Sequence, residues 1–203
     1  MSRITTQAQL RQIYAQPNAR AVKKQLDSLD THCRRFLELS PFFVLSSANA
    51  QGHADASPRG GPPGFVHVVD ERTLLIPDHP GNNRLDHMTN LLERPEVGMV
   101  FLIPGVDETL RVNGTAEIRD DEDLRTRVAT NGKLPKTVLR VTVREAYLHC
   151  AKALMRSRIW DPDAQVDRSV LPTLGEMLKD QMGSSDPPEA EEAMRARYRA
   201  GLY

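Results

Sequence analysis

The sequence predicts a mainly β fold, an antiparallel barrel of six or more strands with one inserted helix and further helices at both ends. Three observations predict it. Apolar runs of strand length recur between residues 42 and 143. Pro, Gly, Asn and Asp clusters separate them by turns too short to hold crossover helices. One helical pattern is inserted, after the run ending at Ile76, which does not describe a doubly wound sheet.

In chain order, residues 5–39 read as helices. The first is interrupted at Pro17, and the second, 21–39, carries Val22, Leu26, Leu29, Cys33, Phe36 and Leu37 at helical spacing. Ser40-Pro41 ends it, because the residue before proline avoids the helical region. Residues 42–47 form a buried strand, 49–52 a turn and 53–59 a second strand. The breaker cluster 60–64 precedes an apolar run at 65–69, and a turn at 70–72 leads into the strand 73–76, which breaks at Pro77. A helix over about 83–93 exits at Pro95, and strands follow at 97–103 and 108–118. A charged helix spans 120–130, and 136–143 alternates like a strand. Residues 183–189 read as a linker and 190–200 as a charged helix. This divides the chain into an N-terminal helical extension (1–39), a barrel domain (40–162) and a C-terminal helical extension (163–203).

Lys plus Arg and Asp plus Glu number 27 each, so no global charge draws the 203-residue chain to nucleic acid or anionic membrane. Anion binding must be local. The two cysteines, Cys33 and Cys150, offer neither a disulfide framework nor a metal spacing. The N-terminal residues lack an apolar signal core and no run reaches membrane-spanning length, so the expected location is the cytoplasm.

Residues 76–86, IPDHPGNNRLD, carry the most information. A strand that turns through Pro and Gly into a helix start leaves free N–H groups at the helix's positive end. Asn82 and Asn83 add neutral donors there, and Arg84 adds a planar fork suited to phosphate. The alternative is an ordinary Asn-capped helix with an exposed arginine. In residues 55–64, Pro58 stiffens a strand and paired glycines permit close approach beside Arg59. A β-bulge or wide hairpin with a solvated Arg59 is the alternative. Along 108–117, Leu110 and Val112 share one strand face and Arg111 and Asn113 the other. Arg111 points at an anion or pairs with a cross-strand acid. Residues 147–160 gather His149, Lys152, Arg156, Ser157, Arg158 and Trp160, as a stacking and phosphate-binding surface or as an amphipathic segment with a solvated basic face. No serine-hydrolase elbow, phosphate loop or dinucleotide fingerprint occurs. Anion seats without an evident catalytic side chain suggest that a bound cofactor carries the chemistry.

Four strings together resemble the pyridoxamine 5′-phosphate oxidase-like superfamily of flavin-binding split-barrel proteins. They are D-x-SPRG-x-PPGFV (55–66), LLIPD-x-PGNNRLD (74–86), P-x-VG-x-x-FLIPG-x-x-ETLRVNG (95–114) and HC-x-KA-x-x-RS-x-x-W (149–160). The likeness is greater to a bacterial subgroup of generic FMN-binding members than to the vitamin-forming enzymes, whose characteristic tryptophan, arginine and histidine arrangement is missing from this chain's C-terminal substrate segment. The resemblance implies a homodimer with FMN at the subunit interface. It places Ser57, Pro58 and Arg59 against the isoalloxazine ring, Ile76 and Pro77 along the ribityl chain, and Asn82, Asn83 and Arg84 at the phosphate. Arg111 falls where such strands contact the flavin, and Lys152, Arg156, Ser157 and Trp160 would reach it from the partner or close the pocket. The activity implied is FMN-dependent oxidoreduction of a small organic substrate or nicotinamide donor. A non-catalytic flavin-storing or flavin-sensing protein is the alternative, and relatives on this barrel replace FMN with a deazaflavin or haem.

Overall fold

Every strand finds an antiparallel neighbour, and the order of those neighbours explains where the cavity lies. The computed structural model describes residues 3–203; the first two residues of the N-terminal stretch read for a signal core lie outside them. The elements are α1 (Gln7–Ile13), α2 (Ala19–Lys23), α3 (Thr31–Leu39), β1 (Phe42–Ala48), β2 (Ala54–Gly60), β3 (His67–Val68), β4 (Thr73–Asp78) and α4 (Asp86–Glu93). They continue with β5 (Glu96–Leu102), β6 (Thr109–Arg119), α5 (Glu122–Arg127), β7 (Thr137–His149), α6 (Lys152–Ser157), α7 (Leu174–Met182) and α8 (Glu191–Ala200). The mainly β, antiparallel architecture read from the sequence is the one observed.

The seven strands form one sheet in the order β2-β1-β5-β6-β7-β4-β3. The sheet curls until strands from opposite ends of that order meet. Arg59 on β2 reaches Asp78 on β4 at 3.2 Å, and Phe43 on β1 stacks on Phe65, just before β3, at 5.8 Å. Side chains, not a backbone ladder, bridge this gap, as a split barrel requires. Inside lie Phe43, Leu45, Met99, Phe101, Leu110, Val112 and Val141, all at most 1% exposed. Cys33, Phe36 and Leu37 of α3 join the same core. Burial pushes the Cys33 thiol up to about 12, so it packs as an inert hydrophobe.

Four boundaries differ from the sequence expectation, each for a physical reason. The helix expected over 21–39 is broken. Leu26 exchanges two 2.9 Å backbone hydrogen bonds with Ala146 instead, and the Asp30 carboxylate restarts α3 by accepting from the Cys33 N–H at 2.7 Å. β4 does not break at Pro77. Only Leu74 and Leu75 pair with β3, so Pro77 stands beyond the end of β3, where the N–H it lacks has no ladder to serve. The run at 65–69 yields only a two-residue strand, while Phe65 and Val66 turn into the core. β7 extends past residue 143 to His149. Its long pairing with β6 bends at a bulge between Asn113 and Gly114. A Cβ on Gly114 would sit 2.1 Å from the Thr142 carbonyl oxygen, so only glycine fits.

Among the described residues no helix is long and apolar enough to cross a membrane.

Candidate functional site

A cavity of about 700 Å³ opens where β2 curls back onto β4. That volume lies within the roughly 300–1,000 Å³ usual for small-molecule sites. Its walls come from residues 55–59 of β2, the loop 79–85, the first turn of α4, Ile118 of β6, and Lys136 and Thr137 at the start of β7.

β2 is an edge strand pairing only with β1, so Pro58 costs no ladder bond. Alternation places Asp55, Ser57 and Arg59 on its half-buried face. Two polar atoms there, Ser57 Oγ and Arg59 Nε, are buried with no hydrogen-bond partner among the described residues. Buried polar groups are nearly always satisfied, and an unpaired one costs about 1–3 kcal/mol. Unspent donors in a cavity wall fit a ligand that supplies oxygen acceptors.

The opposite wall is the turn between β4 and α4. The helix does not begin at Asn82 or Asn83, as the sequence suggested. Asn83 and Leu85 both take the left-handed conformation, φ 59° each, and Asn82 Oδ1 accepts from the Arg84 N–H at 3.1 Å. These contacts hold the chain in a turn until Asp86. Leu85 is then the N-cap residue, and no side chain caps α4. The helix therefore opens on the cavity with its positive end uncapped. Arg84 lies close by, 3.0 Å from Asp86, whose carboxylate holds the guanidinium pKa above its ordinary value.

The charges lining the cavity balance locally. Arg59 faces Asp78 and Arg84 faces Asp86, while Lys136 has no carboxylate partner among the described residues. His79 and His87 both have pKa values lowered chiefly by burial. His79 Nε2 lies 3.3 Å from Thr130 Oγ1. His87 Nδ1 lies 2.8 Å from Ser47 Oγ.

Of the residues singled out in the sequence, Ser57, Pro58, Arg59, Asn82, Asn83 and Arg84 meet in this cavity. The others lie elsewhere on the same chain. Ile76 is 2% exposed and belongs to the core; Pro77 is buried beside it, and both hold the strand that delivers Asp78 and His79 to the wall. Arg111 takes the cross-strand alternative, reaching Glu145 at 3.5 Å and Asn113 Oδ1 at 3.3 Å with its guanidinium over the Tyr147 ring. Lys152, Arg156 and Ser157 are exposed on α6, and Trp160 is anchored by its Nε1–H to the Val106 carbonyl at 3.0 Å.

Several lining residues were not singled out. Asp55, Asp78, His79 and His87 lie in or beside the quoted strings; alternation along β2 and β4 was the available signal for the two aspartates, whereas His79 follows β4 and His87 lies on α4. Lys136 carries no local signal. It arrives because Asp78 pairs with Thr137 across the β4–β7 ladder.

Residues 29–150, most of the barrel and α3, match the family model described as pyridoxamine 5′-phosphate oxidase. The chain belongs to the pyridoxamine 5′-phosphate oxidase family. No curated protein matches the chain in sequence. Similar solved structures include a putative pyridoxamine 5′-phosphate oxidase from Lactobacillus delbrueckii, at 20% identity and TM-score 0.48 over 61% of this chain and 98% of that one. HupZ from Group A Streptococcus is 16% identical, with TM-score 0.48 over 59% and 92%. HutZ, a heme storage protein from Vibrio cholerae, is 17% identical, with TM-score 0.39 over 60% and 93%. Membership fixes the barrel and leaves the chemistry to the cavity.

Proposed function

We propose that this chain is an FMN-dependent oxidoreductase that transfers hydride between bound flavin and a small organic substrate or nicotinamide donor. The observation that carries this reading is the pair of unpartnered polar atoms, Ser57 Oγ and Arg59 Nε, facing an uncapped helix start across one cavity. A ligand with a polar heteroaromatic ring at one end and a phosphate at the other satisfies both walls. FMN is such a molecule, and it supplies hydride transfer when bound.

In this reading Asn82, Asn83, Arg84 and the first turn of α4 receive the phosphate. Ser57 and Arg59 donate to ring oxygen and nitrogen atoms, and Pro58 packs on the ring. The Arg59 charge favours an electron-rich, anionic ring, which is the electrostatic contribution the reduced state needs. Asp78 holds Arg59 in place from the opposite strand. No general acid–base pair is required of the protein, since solvent supplies protons.

A homodimer completes the proposal. Arg111, Lys152, Arg156, Ser157 and Trp160 do not line their own chain's cavity, so they would reach a cofactor only from a second copy. Two copies related by a twofold axis would each lend this surface to the other.

The test is direct. Purified protein should show flavin absorbance or bind added FMN with a rise in melting temperature, and a nicotinamide donor should bleach the bound flavin without oxygen. Binding without reduction by any donor would favour a storage or sensing protein. No binding would overturn the proposal.

A further inference from the structure

A polar chain runs from Asp55 in the cavity wall through Asn90 and Ser47, both buried behind it, back to His87 in the wall. Asn90, 4% exposed on α4, donates its Nδ2 hydrogens to Asp55 Oδ2 at 2.7 Å and to Ser47 Oγ at 2.9 Å. An ionised carboxylate only accepts, so the amide must turn its nitrogen toward Asp55. Ser47 Oγ already accepts from Asn90, and its own hydrogen is free for His87 Nδ1, 2.8 Å away. Nδ1 is then an acceptor, and the neutral imidazole carries its hydrogen on Nε2. His87 is 5% exposed and lines the cavity. Among the described residues its ring's one hydrogen-bond contact is the one at Nδ1. Ser47, 5% exposed, stands behind the wall rather than in it, so the pair is no nucleophile and base; the serine serves the histidine.

We propose that His87 is a tautomer-locked, uncharged donor whose Nε2–H grips a phosphate oxygen of the cavity's ligand, with Asp55, Asn90 and Ser47 as the positioning residues behind it. The phosphate end follows from placement. His87 lies on the first turn of α4, three residues past Arg84, beside the uncapped amides. Burial and the nearby Arg59 charge oppose protonation, against the weaker pull of Asp55 and Asp86. The ring therefore stays neutral, and in this tautomer it offers the ligand a fixed donor and no base. The inference rests on the FMN reading.

The test compares FMN with riboflavin, which lacks the phosphate, by fluorescence titration of the wild-type protein and of His87→Phe, His87→Gln and Ser47→Ala. His87→Phe should weaken FMN about tenfold or more and leave riboflavin within about twofold, as loss of a donor to a charged oxygen predicts. His87→Gln, which keeps an N–H near the Nε2 position, should recover most of the loss. Nitrogen-15 spectra of the ligand-free protein should show His87 protonated at Nε2, and Ser47→Ala should mix the tautomers and cost FMN severalfold. Equal losses for both flavins, no loss for either, or a proton found on Nδ1 would overturn the inference. Wild-type protein that binds neither flavin would sink the FMN reading and this contact with it, whereas binding of FMN unaffected by the variants would sink this contact alone.

Discussion

Arg59 and Arg111 both read in the sequence as strand arginines beside a candidate anion site, the alternative being a solvated side chain for Arg59 and a cross-strand acid for Arg111. The fold treats them differently. Arg111 is enclosed by partners of its own chain, with Glu145, Asn113 and the Tyr147 ring all in reach. Glu145 is shared further with Gln25, so the β6–β7 face is a closed network. Arg59 has one carboxylate partner and a buried Nε with none. The lesson is that a ligand site shows itself by hydrogen-bonding capacity left unused, not by the presence of charge.

If that division is right, the two regions should separate stability from binding. The largest effect expected is from Gly114→Ala at the β6–β7 bulge. Its Cβ would overlap backbone at 2.1 Å, and the strain should cost about 3 kcal/mol or prevent folding, read by chemical denaturation. Next, Arg59→Ala should weaken FMN by about 10- to 100-fold with little change in melting temperature. Arg111→Ala should cost FMN less, because that guanidinium is already paired and acts only through a second copy. An order of effects reversed between these two arginines would break the comparison.

Smaller effects sharpen it. Glu145→Ala removes an acceptor shared by Gln25, Asn113 and Arg111 and should cost about 1 kcal/mol of stability, the pair being partly exposed, while FMN affinity holds. The smallest effect is on pH dependence. His67, His79, His87 and His149 all have pKa values held below the ordinary 6.5, mainly by burial. Their folded-state pKa values are depressed, so this contribution is intact above pH about 6.5 and is lost as pH falls below it. Melting temperature should therefore decline from pH 7 to pH 5. His87→Gln should flatten that decline more than His149→Gln, because His87 is the more deeply buried.

Much of this was legible in the sequence, and the exceptions share a cause. Strand alternation gave Leu110, Val112, Arg111 and Asn113 their faces correctly, and Pro-Gly punctuation located the turns around β4 and α4. The resemblance in the four strings identified a family that the match over 29–150 establishes. Distant partners were what local patterns missed. Leu26 leaves its helix to pair with Ala146, Pro77 continues its strand because β3 is short, and Lys136 enters the cavity through the β4–β7 register. The start of α4 was misplaced because two left-handed residues, Asn83 and Leu85, intervene; an asparagine hints at that conformation, and a leucine does not. His87 was passed over because its partners, Ser47 and the Asn90–Asp55 pair, come from three different elements.

The reading stands or falls with FMN in the β2–β4 cavity. Titration of the purified, flavin-stripped protein with FMN, followed by quenching of flavin fluorescence, tests it most directly. The expected result is saturable binding of one FMN per chain, lost or strongly weakened in Arg59→Ala and retained in Glu145→Ala. Absence of quenching in the wild-type protein, or equal affinity in Arg59→Ala, would contradict it.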